Sequence, residues 1–183
     1  MAYIELGLSE QQFPGIIGLL HARPISGHLL LELAEVLLRA PHTLAPGERE
    51  LIAAYVSGLN ECKFCLGSHS AIAAAQISEG MQLVEQVRAS LDNAPISEKL
   101  RSLLRIARAV QDSGLRVTPD MVAAARDEGA TDVEIHDTVL IAAAFCMFNR
   151  YVDGLGTVTP DSSDSYAQIA HDIVKKGYLD FDS

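Results

Sequence analysis

Apolar residues recur at three- and four-residue intervals along most of the chain, the spacing that gives a helix one buried face. This pattern predicts helices over about 10–21, 25–40, 46–59, 62–76, 78–92, 98–113, 119–128, 132–150 and 164–177. No segment alternates with the period of two that marks a half-buried strand, so the fold class is all-α. The punctuation agrees. Pro46 stands in a first helical turn, and Thr118-Pro119 supplies a cap followed by proline at the first position. Thr131-x-x-Glu134 has the form of a capping box. Gly114 and Gly129 suit helix C-terminal ends.

Two further patterns bear on organisation. TPDSSDS (159–165) is the one linker-like stretch. It divides a helical domain over 1–158, with its motif core at 46–76, from a segment over 159–183 holding a last amphipathic helix and an acidic end. That helix, ending at Lys175, Lys176 and Gly177, is a candidate for packing on a neighbouring subunit, and the end YLDFDS reads as loose. LIAAYVSGLNECKFCLG (51–67) and LIAAAFCMFNRYVDGLG (140–156) align without gaps, which reads either as a duplicated helical hairpin or as the ready likeness of two alanine-rich helices.

Composition narrows the class of function. At 183 residues the chain suits one domain, and 49% of it is apolar with only 5% aromatic. A net charge of −10 opposes binding to nucleic acid or to an anionic membrane surface. MAYIELGLSEQQF lacks the basic and apolar regions of a signal peptide, and no apolar run approaches the roughly 20 residues that span a bilayer. Three cysteines without an export signal fit a reducing cytoplasm, where a CxxC is more often catalytic or metal-binding than structural.

The chemistry concentrates in NECKFCLGSHS (60–70). If 46–59 and 62–76 form an antiparallel hairpin, the second helix opens at the CxxC. Cys62, Cys65 and His69 then share one stripe within roughly 60° of one another. Cysteines at i and i+3 stand about 5 Å apart at Cα, a separation a disulfide accepts. Glu50, on the facing helix, falls level with His69. A helix N-terminus and a nearby histidine both favour a thiolate, and a carboxylate behind the histidine would fix its tautomer. The same group reads alternatively as a metal site with three ligands, or as core cysteines beside a chance histidine. Cys146 reads as an inert buried residue, and Asn60 and Asn149 as helix ends. His21, His28, His42, His136 and His171 show no partner pattern, while Tyr151 and Asp153 are possible cavity residues.

Glu50-x11-Cys62-x2-Cys65-x3-His69 resembles the signature of the alkyl hydroperoxidase D-like (AhpD-like) proteins of the carboxymuconolactone decarboxylase superfamily. The lead-in ERELIAAYVSGLNECKFCLGSH is similar to the peroxidase-related branch. The resemblance implies a multi-helical fold built around helical hairpins, in trimers or hexamers, and thiol-dependent reduction of hydroperoxides. It implies that Cys65 is the peroxidatic cysteine and Cys62 its proton donor and resolving partner, with His69 and Glu50 completing the relay. It implies no cofactor. The partners it implies are a hydroperoxide and a dithiol reductant, either a lipoyl protein or a thioredoxin-like one. The chain departs from the best-studied branch at Phe64, where that branch has a histidine.

Two other functions compete. One is decarboxylation of a small lactone acid, which would want a cation to hold a carboxylate; Arg49 and Arg150 are the basic residues near the motif and its second copy. The other is a non-enzymatic dithiol that senses redox state or binds metal. Phe64 and its apolar surroundings suggest an entrance suited to organic peroxides.

Overall fold

The computed structural model describes residues 1–180, and the described residues form nine α-helices with no strand. These are α1 (Ile16–Ala22), α2 (Pro24–Arg39), α3 (Pro46–Leu59), α4 (Lys63–Ala74), α5 (Gly80–Ala89), α6 (Glu98–Asp112), α7 (Pro119–Asp127), α8 (Asp132–Gly154) and α9 (Ser163–Lys176). A 3₁₀ turn at Gly114–Arg116 links α6 to α7. None of the described helices is long and apolar enough to cross a membrane.

The centre of the molecule is α3. Leu51, Ile52, Ala53, Ala54 and Val56 are all fully buried, so this helix is apolar around its circumference instead of along one stripe. It packs between α4, α6 and α8. Each of its large aliphatic side chains contributes roughly 1.5–3 kcal/mol by leaving water. In α6 the apolar residues Leu100, Leu103, Leu104 and Ile106 are buried while Arg105 is exposed, which lets it cover the core as an outer helix.

Side-chain caps at Ser97, Thr118, Thr131 and Ser162 start the last four helices. Thr131 Oγ1 accepts from Glu134 N at 3.2 Å, and Glu134 Oε2 accepts in return from Thr131 N at 2.8 Å, a closed capping box at the head of α8. Thr118 Oγ1 accepts from Met121 N at 3.3 Å and starts α7. Gly129 ends α7 in the left-handed region at φ 87°. Gly114 opens the 3₁₀ turn, after α6 has stopped at Asp112.

The structure differs from the sequence expectation in several places. The first helix begins at Ile16 instead of residue 10, because Pro14 offers no N–H and Gly15 turns the chain at φ 59°. A Cβ at Gly15 would fall 2.3 Å from the Phe64 ring, so the chain approaches the CxxC region there with only a glycine's thickness. The second copy of the internal repeat is not a hairpin. Where the first copy breaks at 60–62, α8 continues to Gly154. The chain end, read from its acidic residues as loose, is held at Tyr178, which is buried; residues 181–183 lie outside the described residues. The last helix packs on α4 of its own chain, with Tyr166 against Gly67, where a Cβ would meet the ring at 2.6 Å.

Candidate active site

The turn between α3 and α4 delivers the CxxC. Cys62 N donates to Ser57 O and Glu61 N to Gly58 O, both at 3.1 Å, the paired bonds of a Schellman motif. Glu61 takes its left-handed position at φ 59°, where glycine is the usual residue. The chain then enters α4 at once, with Cys62 at the N-cap and Cys65 in the first turn. Both cysteines are free thiols, exposed by 0% and 2% respectively.

One turn further along α4, His69 meets Glu50 of α3, with Nδ1 to Oε2 at 2.7 Å. A carboxylate only accepts, so Nδ1 carries a hydrogen, and in the neutral ring Nε2 holds the lone pair. The other carboxylate oxygen, Oε1, accepts from the Tyr178 hydroxyl at 2.6 Å. Glu50 is therefore buried with a donor on each oxygen, the condition under which a buried carboxylate is tolerable. The Phe145 and His69 rings stand edge to face at a centroid distance of 4.5 Å. Cys65 and His69 line one apolar cavity of about 50 Å³ with Phe64, Phe148 and Tyr178. A larger open groove of about 1020 Å³ runs between α4, α5 and α9, but neither cysteine nor His69 lines it.

The Cys65 thiol is pushed well up from its ordinary range. Its hydrogen bond with Cys62 is the main cause, followed by burial and repulsion from Cys62. The side-chain amide of Asn149 acts in the opposite direction by bonding the thiolate, while Asp153 adds repulsion. These surroundings together favour the neutral thiol of Cys65 over its thiolate. His69 stands in the same cavity with its Nε2 lone pair unused by Glu50.

The four residues singled out from spacing, Glu50, Cys62, Cys65 and His69, are brought together. Two contributors were missed. Tyr178 lies 128 positions from Glu50, and nothing in its local sequence points to the site. Asn149, expected at a helix end, sits inside α8; Asn60 does cap α3. The two asparagines are bonded at 2.8 Å, and Gln111 Nε2 donates to Asn60 Oδ1 at 2.9 Å. Their matched places in the two repeat copies were the available signal. Cys146 is half-buried and accepts from Asn60 Nδ2 at 3.6 Å.

The arginines that a carboxylate substrate would need are committed elsewhere. Arg49 is buried and donates to Leu37 O and Ala40 O at 3.0 Å each, closing the end of α2. Arg150 is exposed and donates to Cys146 O of its own helix. Among the described residues, no group of three His, Cys, Asp or Glu side chains is arranged to hold a metal ion.

Residues 24–80 match the carboxymuconolactone decarboxylase family model. No curated protein matches the chain significantly. Among solved structures, the chain is similar to a peroxidase-related protein with an alkylhydroperoxidase AhpD core from Ralstonia eutropha JMP134. The TM-score is 0.76 at 24% identity, over 91% of this chain and 93% of that one. It is also similar to a peroxidase-related protein from Silicibacter sp. TM1040, with a TM-score of 0.75 at 22% identity over 86% and 82%. The family match thus lies on the segment that holds the CxxC hairpin, and the helical fold around it is the one these two peroxidase-related structures share.

Proposed function

We propose that this protein is a thiol-dependent oxidoreductase that reduces organic hydroperoxides through Cys62 and Cys65, with Glu50 and His69 as its proton relay. The observation that carries the reading is the 2.7 Å bond between His69 and Glu50, in register with two buried thiols at a helix start. His69 Nε2 takes the Cys65 proton, and Glu50 stabilises the resulting imidazolium. The thiolate attacks the outer oxygen of the hydroperoxide and the O–O bond breaks. Cys65 becomes a sulfenic acid, and the departing alkoxide takes a proton from the relay to leave as an alcohol. Cys62 then attacks the sulfenic sulfur, releasing water and closing the Cys62–Cys65 disulfide. A dithiol protein, lipoyl or thioredoxin-like, restores both thiols by exchange and leaves oxidised.

The apolar lining favours organic peroxides over hydrogen peroxide. A cavity of about 50 Å³ has room for little more than one water, so substrate entry requires α1, Phe64 or the chain end to move. The lactone decarboxylation suggested by the family's name has less support, because neither nearby arginine lines the cavity.

The test is the intact mass of the reduced protein after one equivalent of cumene hydroperoxide, beside a Cys65→Ala variant. The expected result is rapid loss of two hydrogens in the wild type and no such loss in the variant. A wild-type mass that stays unchanged over many minutes would sink the reading.

A further inference from the structure

We propose that Tyr178, delivered by the segment following α9, is a positioning residue of the thiol relay and makes its operation depend on docking of the chain end. This rests on the reading that Glu50 and His69 act on Cys65, though not on the identity of the oxidant.

Glu50 is held on both sides. Its carboxylate is 1% exposed, and its Oε2 is occupied by His69. The Tyr178 hydroxyl satisfies Oε1 at 2.6 Å and stands 3.5 Å from His69 Nδ1, with the two rings inclined by 21°. Both donors therefore converge on one carboxylate, and each limits where it can turn. Burial first, then the neighbouring Glu50 charge, pushes the Tyr178 phenol well up, so it remains a donor across the working range. Without this hydroxyl, Oε1 would lie buried and unpaired, and nothing on that side would stop the carboxylate from turning away from His69. A carboxylate turned away no longer stabilises a charged His69.

The segment at Gly177 and Tyr178 is clamped, not merely packed. Tyr178 N donates to Glu35 Oε2 at 2.7 Å, and Arg39 pairs with Glu35 at 3.5 Å. Arg39 also reaches Val174 O at 3.4 Å. Gly177 makes the bend at φ 89°, and a Cβ there would lie 2.8 Å from the Glu35 carboxylate. The charged and titratable groups facing the cluster are Glu35 and Arg39 from α2, Arg49 beside Glu50, Cys62, Cys65 and Asp153 on the thiol side, and Tyr166 from α9.

The test follows Cys65 alkylation by iodoacetamide against pH, normalised to its high-pH plateau so that access does not enter. Wild type is compared with Tyr178→Phe, which keeps the ring and removes only the hydroxyl. The acid limb is expected to move about one pH unit higher in the variant, roughly a tenfold loss of reactive thiol at neutral pH. A ring that served packing alone would leave the profile in place, and superimposable curves overturn the proposal. If thermal melting shows Tyr178→Phe unfolded, Glu35→Ala, which releases the clamp outside the relay, carries the same test with the same expected shift. No peroxide enters this measurement. A wild type inert to peroxide with a shifted Tyr178→Phe profile would reject the peroxidase reading and keep this inference; peroxide turnover with unshifted profiles would do the reverse.

Discussion

Asn60 of α3 donates from Nδ2 to Asn149 Oδ1 of α8 at 2.8 Å, and the two residues stand 89 positions apart, the offset at which the repeat copies align. The flanking bonds follow the same exchange. Asn149 Nδ2 donates to Ser57 Oγ at 3.1 Å, while Asn60 Nδ2 lies 3.6 Å from Cys146 Sγ, and Ser57 and Cys146 are themselves equivalent positions. Reciprocal contacts of this kind are what a local twofold axis between α3 and α8 produces. Asn149 also reaches Cys65, whose thiolate its amide favours.

Asn149→Ala is accordingly expected to act in two ways. It leaves the Ser57 hydroxyl and the Asn60 amide without their partner, a loss of roughly 1–3 kcal/mol in denaturant unfolding. It also removes the one neighbour that opposes the upward shift of Cys65, so alkylation of that thiol should require higher pH than in the wild type. A pH series of alkylation on the folded variant checks the second effect separately from the first.

The relay itself is probed by Glu50→Gln. The amide keeps the shape but cannot stabilise an imidazolium, so single-turnover peroxide consumption should slow by about 10²–10⁴-fold. His69→Ala should fall in the same range, and the double variant should be little worse than either, since the pair acts as one unit. Additive losses would argue against a relay.

Glu61 makes the left-handed turn that a glycine normally makes. Glu61→Gly should therefore stabilise the protein by about 1 kcal/mol, raising the melting temperature by roughly 2–4 °C. An unchanged or lowered melting point would show that the Glu61 side chain compensates for its backbone.

Stability toward acid should depend on Glu134. Burial would raise its carboxyl, but the Thr131 backbone N–H, the Lys99 ammonium at 2.9 Å and the Thr43 hydroxyl together hold it down at about 2, against an ordinary 4.5. A folded value below the unfolded one adds stability above about pH 4.5 that is lost as pH falls toward 2. The difference corresponds to roughly 3 kcal/mol. Glu134→Gln should unfold more easily at pH 7 and show a shallower decline between pH 4.5 and 2, measured by denaturant titration across that window.

Read alone, the sequence determined whatever depends on periodicity and short-range spacing. Apolar residues at helical intervals specified the all-α class, because each helix has to bury its own stripe. Pro46, Thr118 and Thr131 marked helix starts, since unpaired N–H groups need local partners. The Glu50, Cys62, Cys65 and His69 register followed from one hairpin, where two helices joined by a tight turn leave little freedom. Tertiary structure alone decided the rest. It placed Gly15 against Phe64, Arg49 on the end of α2, and Asn149 beside Cys65. It also returned Tyr178 to Glu50 across 128 positions. In the sequence Tyr178 sits in a short acidic stretch that reads as solvated, and only the close-packed interior, with a buried carboxylate oxygen in need of a donor, brings it in.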